Sequence, residues 1–505
     1  MFANKKIILY ELKLENFFDH GRSGFGNFKG LQSKLQYFKD LNVNIIAIDD
    51  ILNQYQNNLN LDEVKNKYGS IKDFIDLVFE FKKNNIEVAP ILDLSNIKQS
   101  FINWNNMMNL YKLNNESENE IKTSYLTKLD TYLLNKPFNQ ISLYDIFEFV
   151  KYFESILNFY IKLNVSSIIL DNFEFLASAE LKDEKKTGFI NDLYKIIKRK
   201  IPNMTVIFKS SNNNSSLYKK LLNSKNKSFD YLYLTYLSII QNKNKIKSNI
   251  TKKVNFSHIY KFIKSFSKYP NVILALNSNK SGRFISKWGS EQSYFDESLK
   301  SMLLFLYAGN NSIGFYYGDE IGILRAKFKD DFSFNDENFN EEKRYYQSKN
   351  IKLENFFKYH CYFNKWSSYT QMPWDSKLSL NFKNNKNIFY AINHKDNNVK
   401  SSLNNKDSGL PFIYFLNKFI SDSKYELFFK TNHFLIKHKS GVFMFKKNLK
   451  NEQIIFLINL TNEHKKIITP SDYLILSSSY INKFYSEMPK ALSPFESLIL
   501  FKSKN

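Results

Sequence analysis

The stretch Ser166-Ser-Ile-Ile-Leu-Asp171 is a short apolar run that stops on a carboxylate. Its length and β-branched content suit a strand buried on both faces, and the segment before it carries Phe149, Phe153, Ile156 and Tyr160 at helical spacing. Working outward in both directions, the same alternation recurs through the first 320 residues. The candidate strands are Ile7 to Leu14, Val43 to Ile48, Glu87 to Leu92, Ser166 to Leu170, Met204 to Phe208, Phe229 to Leu234, Asn271 to Leu276 and Ser312 to Phe315. Helical spacing also appears between them, as in Leu31, Leu35, Phe38 and Leu41, or Phe74, Val78 and Phe81. Eight strand and helix units in this order predict an α/β chain folded as a closed (β/α)8 TIM barrel, with its functional groups at the C-terminal ends of the strands.

Two stretches fall outside that period. Residues 96–139, between the third and fourth strands, are longer than a simple crossover and rich in Asn, Lys and Ser, which predicts a short inserted subdomain. Beyond about residue 433 the pattern becomes strand after strand: Gly441-Val-Phe-Met-Phe, Ile454-Ile-Phe-Leu-Ile-Asn-Leu and Ser497-Leu-Ile-Leu-Phe. That predicts a C-terminal antiparallel β domain. The expected division is barrel over 1–95, insertion over 96–139, barrel again over 140–432 and β domain over 433–505.

Composition narrows the function classes. The chain has 505 residues, and 72 Lys plus Arg stand against 49 Asp plus Glu, a net charge of +23. Gly is 14 and Pro is 9, where average usage would give roughly 35 and 25. Lys, Asn, Ile, Phe and Tyr rise together, as drift toward AT-rich codons would produce at exposed positions, so most of the basic excess reads as compositional. A hydrophobic content of 43% excludes a disordered chain, and the single Cys361 excludes a disulfide scaffold or a cysteine-based metal site. No apolar run approaches the roughly 20 residues that span a bilayer. Charges interrupt the N-terminal apolar stretch before a signal-peptide core forms, so a soluble cytoplasmic protein is expected. Nucleic-acid binding is the rival class, resting on the Lys-rich stretches 195–200 and 219–227. No nucleic-acid module surrounds them, and solvated faces explain them without a nucleic-acid partner.

Further motifs carry a resemblance. Gly24-Phe-Gly-Asn-Phe-Lys-Gly-Leu, followed by Leu35-Gln-Tyr-Phe-Lys-Asp-Leu-Asn-Val, opens the chain; Phe315-Tyr-Tyr-Gly-Asp-Glu-Ile-Gly ends the eighth strand; Tyr369-Thr-Gln-Met-Pro-Trp-Asp lies downstream; and Ser493-Pro-Phe-Glu-Ser-Leu-Ile-Leu closes the β domain. In this order they resemble glycoside hydrolase family 13, the α-amylase superfamily, and most of all its oligo-1,6-glucosidase and trehalose-6-phosphate hydrolase branch. The resemblance implies a retaining glycosidase, which needs a carboxylate nucleophile and a carboxylic acid about 5 to 5.5 Å apart. It puts the nucleophile position at Asp171, with Ile169 where the family carries an Arg. Without that cation the carboxyl of Asp171 is expected to have a raised pKa. A competing reading makes Asp171 a cap for the following helix.

The other positions depart from the family. The general acid position is occupied by Phe208, with Lys209 one step on, and no Asp or Glu lies between Pro202 and Ser228. In Asn277-Ser-Asn-Lys-Ser-Gly-Arg283 the transition-state Asp position is occupied by Lys280, the His position is Asn279, and Arg283 is kept. Asp93 of Asp93-Leu-Ser-Asn-Ile-Lys98 is kept, and the His of the family is Lys98 or is deleted. The substrate-binding set implied by the resemblance is thus Asp93, Asn279 and Arg283. Asp19-His-Gly-Arg-Ser-Gly-Phe-Gly-Asn27 stands where the branch has a calcium loop, with only Asp19 keeping its carboxylate and Arg22 adding a cation, so no metal is expected, nor any cofactor. Asp49, Asp50 and Glu174 are possible replacement acids, each weighed against a solvated loop position. The expected function is a sugar-binding pseudoenzyme or a much-altered α-glucosidase acting on an α-linked oligosaccharide or disaccharide, phosphorylated or not. A soluble interaction role is the alternative of another class.

Overall fold

The computed structural model describes the chain apart from residues 1–5, 22, 50, 56–57, 96–142, 174–182, 241–253, 327–336, 351, 377–388, 432, 469–471, 481–486 and 504–505. Eight parallel strands close into a barrel: β1 (Ile8–Leu12), β2 (Ile45–Ile48), β3 (Glu87–Asp93), β4 (Ser167–Asp171), β5 (Thr205–Ser210), β6 (Tyr231–Leu234), β7 (Val272–Ala275) and β8 (Ser312–Tyr316). Each pairs with its neighbour in sequence, and β8 returns to β1. The eight strands expected from the sequence are these eight, with ends shifted by one or two residues.

Side chains alternate strictly between two layers. Leu9, Ala47, Ile91, Ile169, Ile207 and Ile273 point inward and form the barrel's inner core. Tyr10, Ile48, Leu92, Leu170, Phe208 and Leu274 point outward into the larger core shared with the helices. The register is tight enough that Gly314 of β8 is needed: a Cβ there would meet Tyr233 Cε2 at 2.8 Å. The outer helices follow sequence signals. Helix Ile71–Lys83 starts with a capping box, in which Ser70 Oγ accepts from Asp73 N and the Asp73 carboxylate accepts from Ser70 N, at 3.1 and 2.9 Å.

The Gly-Asp-Glu turn after β8 locks the barrel shut. Gly318 adopts φ +84°, Asp319 accepts from Tyr316 N and Asn277 Nδ2 at 3.0 Å each, and Glu320 accepts from the hydroxyls of Tyr10 and Tyr37 at 2.7 and 2.5 Å. Burial pushes the Asp319 carboxyl up to about 7, against the pull of Arg283.

The C-terminal part is a five-stranded antiparallel sheet of β9 (Phe434–Lys439), β10 (Val442–Leu449), β11 (Glu452–Asn459), β12 (Leu474–Ser478) and β13 (Ser497–Ser503), in the order β9-β10-β11-β13-β12. It meets the barrel where Phe305 of helix Phe295–Tyr307 packs on Phe443 and Phe445, at ring distances of 4.9 and 5.7 Å. The sequence reading found the three inner strands and missed β9 and β12. Both are edge strands, and polar residues such as Lys437, Lys439, Ser477 and Ser478 blur their alternation. The insertion expected over 96–139 lies outside the described residues. Among the described residues no helix is long and apolar enough to cross a membrane.

Candidate active site

Strand alternation decides which side chains reach the barrel mouth. In β1, Leu9 faces inward, so Glu11 does too; in β4 the inward pair is Ile169 and Asp171; in β5 it is Ile207 and Lys209. Asp171 and Lys209 are register partners on adjacent strands. Lys209 is fully buried and its Nζ lies 2.7 Å from Glu11 Oε1, 3.4 Å from Asp171 Oδ2 and 3.3 Å from Asn279 Oδ1. Lys280, from the loop after β7, places its Nζ 3.2 Å from Asp171 Oδ1 and 2.7 Å from Asn172 Oδ1. The floor of the mouth is therefore a chain of charges, Glu11 to Lys209 to Asp171 to Lys280.

This arrangement corrects the expectation for Asp171. Burial pushes its carboxyl up, but the ammonium groups of Lys209 and Lys280, with hydrogen bonds from Lys280 and Asn172 N, outweigh that and hold it below the usual carboxylate range. The cation missing at Ile169 is replaced from another strand and another loop. Lys209 is likewise pulled down by burial and lifted further by Asp171 and Glu11, so it stays charged.

The remaining sequence-derived positions distribute unevenly. Phe208 does not face the mouth: it points into the outer layer and packs on Phe173 at 5.1 Å. The side chain that β5 presents beside Asp171 is Lys209. Arg283 is buried behind the mouth, where it donates to the carbonyls of Tyr317 and Ser368 at 2.6 and 2.9 Å and to Thr370 Oγ1 at 3.1 Å. It organises the loops there and is not part of the cavity wall. Asp93 and Asn279 do line the cavity, with Asp93 Oδ2 accepting from Asn172 Nδ2 at 3.0 Å. Asp49 also lines it, and its Oδ1 accepts from Leu14 N at 2.9 Å. Asp50, Glu174, Lys98 and Arg22 lie outside the described residues.

The cavity at the mouth has a volume of about 340 Å³, and Glu11, Asp171, Asp93, Tyr316 and Tyr369 belong to its wall. Two buried polar atoms there, Glu11 Oε2 and the Tyr316 hydroxyl, have only weak neighbours, the hydroxyls of Tyr233 and Tyr317 respectively. Glu11 was overlooked in the sequence. Its signal was available: it shares the inward face of β1 with Leu9, two residues earlier.

Around Asp19, the calcium-loop position, Oδ1 accepts from Ser23 N at 3.2 Å, Ser23 Oγ at 3.0 Å and Asn27 Nδ2 at 3.2 Å, and Oδ2 accepts from Gly24 N at 2.8 Å. The carboxylate is surrounded by donors, whereas a hard cation needs several oxygen ligands. The described residues of this loop do not fit a calcium ion.

An eight-stranded parallel barrel with carboxylates at its mouth and an antiparallel sheet after it is the architecture of the α-amylase class. The family model for the α-amylase catalytic domain matches residues 14–164 and 130–424, and the chain belongs to that family. It is 23% identical to the oligo-1,6-glucosidase of Bacillus cereus over 200 residues, 39% of this chain, and 24% identical to that of Parageobacillus thermoglucosidasius over 206 residues, 40% of this chain. The matched stretch spans about a third of each of those enzymes, 35% and 36%. In fold it is similar to the trehalose-6-phosphate hydrolase of Bacillus licheniformis, with a TM-score of 0.77 at 15% identity over 99% of both chains. It is also similar to the isomaltulose synthase of Protaminobacter rubrum, with a TM-score of 0.75 at 14% identity over 98% of both.

Proposed function

We propose that this α-amylase-family chain binds an α-linked oligosaccharide or disaccharide at the barrel mouth and has lost most or all of the hydrolase chemistry. The observation that carries this is Lys209, the side chain that β5 presents beside Asp171 where the resemblance implies a carboxylic acid. A retaining nucleophile must present a carboxylate oxygen to the anomeric carbon; here Oδ1 is engaged by Lys280 and by Asn172 N at 2.8 Å, and Oδ2 by Lys209. The strand that would deliver the general acid delivers an ammonium instead. A positioned acid is worth about 10² to 10⁴ in rate, and a fixed cation opposes the positive charge that develops on the sugar in the transition state.

Binding is supported by the polar wall of the cavity, where Glu11, Asp49, Asp93, Asn279, Tyr316 and Tyr369 supply the acceptors and donors that sugar hydroxyls need. The substrate class follows from what the similar proteins act on by name, oligo-1,6-glucosides and trehalose 6-phosphate. One observation favours a second reading, an altered but active α-glucosidase. Glu11 and Asp171 each touch Lys209 Nζ, at 2.7 and 3.4 Å, so their nearest oxygens lie within about 6 Å, close to the spacing of a retaining pair.

The test is purified protein assayed with p-nitrophenyl α-glucoside, isomaltose and trehalose 6-phosphate beside Asp171→Asn and Glu11→Gln. Rates at background for all three proteins are expected, together with a heat of binding for at least one sugar by calorimetry. Turnover that disappears in Asp171→Asn would sink the pseudoenzyme reading, and no heat with any sugar would sink the binding reading.

A further inference from the structure

At the other end of the barrel, the N-terminal ends of β1 and β2 border a second cavity of about 690 Å³. Its charge is one-sided. Lys6, Lys39, Lys268 and Lys430 line it against one carboxylate among the described residues, Glu426, which pairs with Lys430 at 2.5 Å. Lys447 of β10 stands just behind the wall.

Lys6 and Lys447 are the unusual members. Lys6 Nζ lies 3.3 Å from Gly309 O and 3.4 Å from Tyr307 O; Lys447 Nζ lies 3.2 Å from the same Gly309 O and 2.7 Å from Asn310 Oδ1. Two amines thus lean on one carbonyl, and Phe429 sits against both, at 4.9 and 3.9 Å from its ring centre. Neither amine meets a carboxylate among the described residues, and neither do Lys39 and Lys268. Burial alone pushes the Lys6 amine down to about 7, and burial together with its neighbour Lys6 pushes Lys447 down as well.

Compositional drift explains exposed lysines such as Lys39, Lys268 and Lys430. It does not explain Lys447, which is fully buried, with the partly buried Lys6 on the same carbonyl; an amine without a counter-charge in such a place is pushed toward its neutral form, and a bound anion would restore its charge. What the wall lacks is an anion, and the volume lies within the roughly 300 to 1,000 Å³ of small-ligand pockets.

We propose that this cavity binds an oxoanion, either free phosphate or the phosphate group of a small metabolite, held by Lys6, Lys39 and Lys268 with Lys447 supporting from behind. The site is separate from the barrel mouth and does not rest on the sugar-binding reading.

The test is calorimetry and thermal melting of the full chain with inorganic phosphate and with glucose 6-phosphate, against chloride at matched ionic strength and pH. A saturable heat and a rise in Tm are expected in the wild type. Lys6→Met is expected to weaken binding at least tenfold; should that variant not fold, the exposed double variant Lys39→Gln/Lys268→Gln is expected to do the same. Lys280→Gln, at the mouth, is expected to leave phosphate affinity unchanged. Equal affinity for the two ligands assigns the site to the oxoanion alone, and tighter binding of glucose 6-phosphate assigns it to a phosphorylated metabolite. No effect beyond chloride in the wild type, or loss of binding in Lys280→Gln, overturns the proposal.

Discussion

The two ends of this barrel treat buried lysines in opposite ways. At the mouth, Lys209 is fully buried between Glu11 and Asp171, and Lys280 closes the other side of Asp171, so each cation has a carboxylate within 3.4 Å. At the foot, Lys447 is buried and Lys6 partly buried, and among the described residues only carbonyl and amide oxygens lie within hydrogen-bond reach of them. The same residue type therefore means two things. At the mouth it completes a balanced network that holds the old nucleophile in its ionised, engaged form; at the foot it leaves a charge demand open.

One substitution made at both ends separates these states. Lys209→Met leaves Glu11 and Asp171 buried without their shared cation, and breaking a buried pair in this way costs about 3 to 5 kcal/mol. Urea unfolding at pH 7.5 is expected to show that loss, and the gap from wild type is expected to narrow toward pH 5. The sign follows from linkage: without Lys209 the pKa of Asp171 in the folded variant rises, so the folded variant takes up protons and gains stability as pH falls. In the wild type the pKa is depressed. The stability this contributes is fully present above the ordinary value of 3.8 and is lost only as pH falls below it through the folded value. A gap that does not change with pH would break the network account.

Lys280→Met should cost less, about 1 kcal/mol, because its side chain is 28% exposed and water shares in screening its contact with Asp171. In chloride buffer Lys447→Met is expected to fall within about 1 kcal/mol of wild type, since removing an uncompensated amine offsets the hydrogen bonds lost at Gly309 and Asn310. A loss as large as that of Lys209→Met would erase the contrast between the two ends. The smallest expected effect is on ligand binding: Tyr316→Phe should weaken sugar affinity several-fold with little change in urea midpoint, as removal of one hydroxyl that bonds a ligand would. Unchanged affinity would take Tyr316 out of the binding wall.

Much of the fold was legible, and particular residues show why. Ser167–Asp171 and Ile45–Ile48 are runs that only a doubly buried strand explains, while β9 and β12, half solvated at sheet edges, carry no comparable pattern. The site was legible in outline only. Asp171 stands at a strand end as expected, but its ionisation was misjudged because the cations that govern it come from β5 and from the loop after β7. The family resemblance puts Phe208 at the mouth, whereas strand parity sends it outward and Lys209 inward.

By itself, the sequence determined the eight strands, their order and the carboxylate at the end of the fourth. Those features rest on hydrophobic periodicity, which is local and survives heavy drift in exposed positions. Only the tertiary structure decided that Glu11, Lys209, Asp171 and Lys280 form one network and that Lys6 and Lys447 share a carbonyl. Electrostatic partners are chosen by distance through space in a poorly screened interior, and residues far apart in the chain become neighbours only when the barrel closes.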